Sequence, residues 1–398
     1  MRPKVRRKMK KNYTVRRTGF AKFMDTLPGK IVRWTVIGVV IVGLICVIAF
    51  VAVPAISKAV NPPEKVPIKL NDFKDSLKTE AEVSVEEASV SYLQKEAEID
   101  VSRVNDPFIF ENEIVFSSAE VIGGTVHYAK MYIYNIDDKK TREVSGIDMK
   151  YDNLISMRMN KDFIVFLDSA DNGGGRICVY DRRNGKQTAI KDYLYAAPQI
   201  TMEGNLIAFM QQAGDNLDRL YLFDLDTFES VAYRVFSGLP TVPSAVNMQN
   251  GMMIYAIPYQ TEDGYNRSRI YTMDLATGEE KINEPGKLAQ YIKTNGKDIA
   301  FQASVSGMAS ELYLLEGVTP VLIDSDVANF EIEENYIVYT KGEDIYLYLL
   351  GNKQVQKLNS DISRGRLVNA SGKMVCWYDV TSGYSKSADI VRYAEVNF

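Results

Sequence analysis

Seven times along the chain an apolar residue and then a generally smaller one lead into an aromatic. The triplets are Ile114-Val115-Phe116, Ile164-Val165-Phe166, Ile207-Ala208-Phe209, Met253-Ile254-Tyr255, Ile299-Ala300-Phe301, Ile337-Val338-Tyr339 and Val375-Cys376-Trp377. Their aromatics are 50, 43, 46, 46, 38 and 38 residues apart. A unit that recurs at such a period buries its apolar faces against copies of itself. The period is that of a four-stranded blade, so the chain is expected to fold as a seven-bladed β-propeller.

The residues around each triplet spell out the rest of a blade. In the second unit, residues 155–159 read as an inner strand and 160–162 as a polar turn. Residues 163–167 are an apolar central strand rich in β-formers. A loop over 168–175, a third strand over 176–181, an Asn184-Gly185 hairpin signal and an outer strand over 186–190 complete it. Third strands recur as Met131-Tyr132-Ile133-Tyr134, Leu220-Tyr221-Leu222-Phe223, Ile270-Tyr271-Thr272-Met273, Leu312-Tyr313-Leu314-Leu315, Ile345-Tyr346-Leu347-Tyr348 and Ile390-Val391-Arg392-Tyr393. No helical periodicity of useful length follows residue 105, which makes the domain all-β.

The seventh unit lacks an outer strand. It offers strands over 367–369, 374–378 and 388–396, and then the sequence stops at Phe398. An open edge invites aggregation, so the missing strand is expected from residues 82–101, with 83–92 favoured over 97–101.

Upstream of the repeats the chain changes character. Residues 34–56 carry no charge over 23 positions, and a helix of that length measures about 34 Å against a hydrocarbon core of about 30 Å. Residues 1–33 hold twelve Lys and Arg against the single acid Asp25. That segment is +11, and the overall −4 leaves −15 for residues 34–398. The asymmetry predicts a basic cytoplasmic tail (1–33), a transmembrane signal-anchor helix in the lipid bilayer (34–56), a stalk (57–81) and an extracytoplasmic propeller (82–398). An acidic body argues against nucleic acid as a partner. Cys46 lies in the apolar run, whereas Cys178 and Cys376 fall in different strands and are expected as buried, unpaired thiols.

The segments Asn295-Gly296-Lys297-Asp298-Ile299-Ala300-Phe301 and Arg269-Ile270-Tyr271-Thr272-Met273-Asp274-Leu275-Ala276-Thr277-Gly278-Glu279 resemble the repeats of TolB-type, WD-like propellers. The resemblance covers residues 107–398 as a repeat pattern, although the usual Pro-Asp-Gly before the second strand is replaced by Asn, Glu or Gly. It implies an envelope location and a role in protein binding.

No catalytic set is expected. The chain has one histidine, His127, read here as a loop residue, and it lacks nucleophile-elbow, zinc-helix and Walker motifs. Gly173-Gly174-Gly175 lacks the Lys-Ser/Thr of a phosphate loop and reads as a hairpin loop. Asp168, Asp171 and Asn172 match no complete calcium loop, so no metal site and no cofactor are assigned. The long connections are the second-to-third ones, at 117–129, 168–175, 211–218, 257–268, 303–310 and 379–387, and they converge on one rim. Tyr128, Asp215, Asp218, Tyr259, Tyr265, Arg267 and Tyr384 form its polar-aromatic candidate surface. The leading expectation is a non-enzymatic, membrane-tethered scaffold that binds a protein or envelope component. A carbohydrate-active enzyme using Asp and Glu, and a transmembrane sensor, are the alternatives.

Overall fold

A computed structural model of the chain describes residues 91–96, 104–122, 124–213, 217–305, 309–359, 364–379 and 390–397. The chain divides into two compact units, Met1–Val66 and Pro67–Phe398, and every described residue belongs to the second. The basic tail, the apolar segment 34–56 and the stalk lie outside the described residues. Among the described residues no helix is long and apolar enough to cross a membrane.

The described strands form seven four-stranded antiparallel sheets. Blade 1 runs Val104–Phe110, Glu113–Ile122, Thr125–Asn135 and Lys140–Glu143. Blade 2 runs Asn153–Met159, Phe163–Ser169, Gly175–Asp181 and Lys186–Tyr193. Blade 3 comprises Ile200–Glu203, Leu206–Ala213, Leu217–Asp224 and Ser230–Ser237, and blade 4 comprises Asn247–Gln249, Met252–Gln260, Asn266–Asp274 and Glu280–Asn283. Blade 5 follows with Ala289–Thr294, Ile299–Val305, Ala309–Glu316 and Thr319–Asp324, then blade 6 with Val327–Ile332, Tyr336–Lys341, Asp344–Leu349 and Val355–Lys357. Blade 7 takes Gly365–Ser371, Met374–Asp379 and Ile390–Asn397 from the end of the chain and Ser91–Glu96 from before blade 1. The innermost strands neighbour one another in cyclic order, with blade 7 next to blade 1. The architecture is a closed seven-bladed propeller.

The triplets explain the ring. Successive residues of a strand point to opposite faces. The first and third residues of each triplet face the preceding blade, and the middle one faces the following blade. Ile164 and Phe166 thus pack with Val115, Met131 and Ile133 of blade 1, whereas Val165 packs with Ile207 and Phe209 of blade 3. The same alternation places Ile207 and Phe209 toward blade 2 and Ala208 toward blade 4. At the seam, Val375 and Trp377 face blade 6, and Cys376 joins Ile114, Phe116 and Tyr134 of blade 1. All 21 triplet side chains are buried. In five blades the aromatic also stacks on the tyrosine directly across the hairpin, as in Tyr255–Tyr271 at 5.1 Å between ring centroids. Cys178 and Cys376 are free and buried, and burial pushes the Cys178 thiol up to about 12.

Two expectations need correction. The segments 117–129, 211–218, 257–268 and 303–310 are mostly not loops. The second and third strands continue through them as ribbons, so that Val121 pairs with Val126 and Gln260 with Asn266. Alternation there is interrupted by small and polar residues such as Ser117, Ser118, Gln211 and Ser268, which pair all the same. The closing strand, Ser91–Glu96, lies within 82–101, but it overlaps the favoured segment 83–92 by only two residues and stops short of 97–101.

That closure is antiparallel, from Ser91 opposite Asn397 to Glu96 opposite Arg392. It covers the edge of the strand that buries Val391, Tyr393 and Val396. Removing it leaves six residues of ladder unpaired and unlocks the blade 7 to blade 1 interface. A chain that begins at Val104 is expected to melt roughly 5–15 °C below one that begins at Val66, or to aggregate. Equal melting temperatures and solubilities would show that this strand does not hold the ring.

Candidate functional site

The innermost strands of all seven blades line a cavity of about 1110 Å³ along the ring axis. Turns between first and second strands, including Asn160–Asp162, Gly204–Asn205 and Gly372–Lys373, form its mouth. This is the tight-turn face, opposite the rim singled out from sequence. The lining combines amides with charges of both signs: Asn247, Gln249 and Asn369 beside Arg158, Glu203, Lys293, Glu331 and Glu333.

Most of these groups are committed to the scaffold. An innermost strand has one edge without a ladder partner, and its amides need acceptors. They find them on the preceding blade. Asp106 accepts from Ser156 N, Thr201 from Met248 N at 3.0 Å, Asn247 from Thr294 N at 2.9 Å and Asn369 from Ile109 N at 3.3 Å. A second tier joins the turns. Asn160 donates to Gly204 O at 2.7 Å, Asn250 to Asn295 O at 2.8 Å and Asn295 to Glu333 O at 3.1 Å. Glu203 accepts from Gly251 N at 2.6 Å, and Glu333 accepts from Gly372 N at 3.1 Å. Five of the inner strands carry a bulge. In blades 1, 2 and 7 two inner-strand residues lie opposite Phe116, Phe166 and Trp377, with positive φ at Asp106 (52°), Ser156 (56°) and Leu367 (52°).

The charged groups respond to this burial. Burial pushes the Glu333 carboxyl up to about 8, and Glu331 adds to the push, while the Gly372 N–H, Gln249 and Lys293 oppose it. Burial likewise carries Glu203 up to about 7 against the Gly251 N–H. Glu203 Oε2 is buried and makes no hydrogen bond. Lys293 pairs with Glu331, to which Asn369 also donates at 3.4 Å. Burial lowers the Lys293 ammonium, and the Glu331 carboxylate opposes that. Two carboxyls raised by burial and a Lys293–Glu331 ion pair give the channel a polar lining.

The sequence-derived rim is dispersed. Tyr259 and Arg267 are directly opposed across the blade 4 hairpin, with exposed Tyr265 at its turn. Arg269 lies over the Tyr259 ring at 4.5 Å and pairs with Glu284 at 2.7 Å. Tyr128 belongs to the third strand of blade 1, where its N–H donates to Asn153. Asp218 is a buried strand residue of blade 3, raised by burial, with Oδ1 unpartnered. Asp215 and Tyr384 lie outside the described residues. The channel residues were missed because they come from different repeats and single inner-strand positions, which no local motif reports.

The glycine run and Asp168 have architectural duties. Gly174 N donates to Tyr195 O at 3.0 Å, and a Cβ on Gly175 would sit 2.4 Å from the Tyr193 hydroxyl, so the run admits the link to blade 3. Asp168 is fully buried and accepts from Lys150 N, Tyr151 N and Arg176 Nε at 2.8, 3.0 and 2.7 Å. Asp379 repeats the arrangement in blade 7 with Arg364 N and Arg392.

No family model matches the chain, and no curated protein is similar to it. Solved structures are similar in fold. The β-propeller domain of the Trilobed protease from Pyrococcus furiosus, described as having an open velcro topology, aligns with a TM-score of 0.57 at 12% identity over 75% of this chain and 95% of that one. An acylaminoacyl peptidase from Pyrococcus horikoshii aligns with a TM-score of 0.54 at 13% identity over 73% of this chain. The match spans only 50% of the peptidase. An oligogalacturonate lyase from Vibrio parahaemolyticus gives 0.51 at 8% identity, over 77% and 97% of the two chains. At these identities the likeness shows the propeller fold alone. The TolB-type resemblance rests on the repeat pattern.

Glu333 supplies a direct test of the channel's electrostatics. Its carboxyl holds a proton in the folded chain at pH values where the unfolded chain, with the ordinary value of 4.5, has lost it. Its contribution to stability is therefore fully present in acid and is lost as pH rises through about 8. Glu333→Gln keeps an oxygen for the Gly372 N–H and removes the titration. Variant and parent should melt alike near about pH 5, and the variant several degrees higher near about pH 8.5. A gap that is constant, or that opens toward acid instead, would show that Glu333 is ionised in the fold.

Proposed function

We propose that this protein is a membrane-tethered, extracytoplasmic propeller that binds a protein or envelope component without catalysing a reaction. The observation that carries the reading is the placement of exposed apolar surface. The five most exposed large apolar side chains among the described residues are Leu194 (70%), Tyr265 (67%), Val121 and Val242 (66%) and Val318 (64%). All but Val318 project from second-to-third hairpins or blade-to-blade links, which share one face. Tyr195, 53% exposed, adds to the same face. Exposed apolar and aromatic side chains gathered on one side of a rigid scaffold favour a docking surface. In the channel, by contrast, the carboxyls that burial perturbs most, Glu203 and Glu333, accept backbone N–H groups of the next blade. That duty favours scaffolding over acid-base work.

The tether rests on the uncharged residues 34–56 and the basic segment before them. A cytoplasmic reporter at residue 29 and an extracytoplasmic one after residue 398 should both be active, and the reversed pair silent. The opposite pattern would sink the orientation.

The docking face has its own test. A photo-crosslinking residue at Leu194 or Tyr265 should give a discrete adduct in native membranes, and one at Val318, on the other face, should not. Equal adducts from both faces, or none from Leu194 and Tyr265, would count against the reading. A carbohydrate-active enzyme is the competing reading, favoured by the likeness to oligogalacturonate lyase over nearly all of that chain. Turnover of an oligogalacturonate by the purified protein, lost in Glu203→Gln, would replace the binding proposal.

A further inference from the structure

On the loop face, where blade 1 meets blade 2, the side chains of His127, Asp152 and Asp171 converge. His127 comes from the third strand of blade 1, Asp152 from the link to blade 2, and Asp171 from the second-to-third turn of blade 2. One ligand atom from each lies within 4.8 Å of the others. His127 Nδ1 stands 3.6 Å from Asp152 Oδ1, too far for a hydrogen bond. That nitrogen is buried and makes no hydrogen bond. An orphaned buried nitrogen facing two carboxylates is the chemistry of an ion site.

We propose that His127, Asp152 and Asp171 bind a divalent first-row transition ion of the zinc type. With metal–ligand bonds of about 2.0–2.2 Å, tetrahedral ligands stand about 3.4 Å apart. The 3.6 Å between the His127 and Asp152 atoms is close to that edge, and the 4.8 Å limit leaves Asp171 a small rotation from closing the set. One imidazole among the oxygens selects a zinc-type ion over calcium or magnesium, which take oxygen alone. The support behind the ligands is already in place. Asn153 Nδ2 donates to Asp171 Oδ1 at 2.6 Å, and Asn153 Oδ1 accepts from Tyr128 N at 3.2 Å. One amide thus fixes a ligand carboxylate and the strand beside His127. Three protein ligands leave the ion open toward solvent, on the face proposed for docking. There a water or a partner's carboxylate or imidazole completes it. The ion would also tie blade 1 to blade 2.

The test uses the full chain, stripped with a chelator and titrated with cobalt(II) as a spectroscopic substitute for zinc, and then with zinc itself by calorimetry. One equivalent is expected to bind in each case, with cobalt developing the visible absorption of a nitrogen-containing site and zinc raising the melting temperature. His127→Ala and Asp171→Asn should each weaken binding at least tenfold, and Asn153→Ala by about 10–100-fold. His127 is the only histidine in the chain, so the nitrogen signature has one source. Asp171 is exposed, so its variant keeps the test valid if the His127 variant misfolds. Cobalt that binds the His127 or Asp171 variant as tightly as the parent would overturn the proposal. So would saturation of the parent only above about 1 mM.

Discussion

Every second strand in this propeller has to be buried on both faces by two different neighbours. That requirement shapes the rest. A strand covered on both sides has no solvent face, so its central triplet is apolar on both faces, and the blades on its two sides dictate the sizes. The residue pair facing the preceding blade is large and ends in an aromatic, as with Ile207 and Phe209, while the residue facing the following blade can be as small as Ala208. Blades splay apart with distance from the axis. Each gap receives the large pair from one blade and the single middle residue from the other, and that arrangement repeats around the circle. The circle works only if it closes, because the two end units otherwise expose the faces that the triplets need covered. Ser91–Glu96 on Ile390–Asn397 meets that condition.

The polar inventory of the channel follows from the same geometry. Seven innermost strands turn one hydrogen-bonding edge away from their own sheets, and an unpaired buried amide costs about 1–3 kcal/mol. Side chains of the adjacent blade satisfy these edges in two tiers, one between strands and one between turns. Glu203 ends its inner strand and Glu333 directly follows its own, and each holds the turn of the next blade. Perturbed carboxyls in a cleft are ordinarily a mark of chemistry. Here their partners, the Gly251 and Gly372 N–H groups, give them an architectural role.

Blade number, strand order and the need for an N-terminal closing strand were legible because each leaves a mark at fixed sequence offsets. The triplet recurs, the third-strand tyrosine recurs, and the last unit is visibly one strand short. The hairpin ribbons were not legible. Ser117, Ser118 and Glu120 carry no β signature although they pair with Met131, Lys130 and His127, and the two serines are buried. Inner-strand bulges were equally hidden, since two residues opposite one change no composition. The candidate site was the least legible part. Asn247 and Thr294, or His127 and Asp171, come together only once the ring has set which blade follows which, and a repeat pattern describes what the units share. The chemistry sits in what they do not share.

The closing strand has a further consequence for a chain that carries a long N-terminal segment. Residues 1–90 join the propeller through Ser91–Glu96, the outermost strand of the last blade. This strand is held by one ladder and has a single neighbour in its sheet, so it is the least buttressed strand of the closure. Any load on the N-terminal segment therefore reaches the ring first at the pairing that closes it. Losing that pairing uncovers the edge of Ile390–Asn397 and weakens the interface where Cys376, Val391 and Tyr393 meet Ile114, Phe116 and Tyr134. Among the described strands no other links the N-terminal segment to the integrity of all seven blades, because each of the remaining sheets is made from consecutive residues.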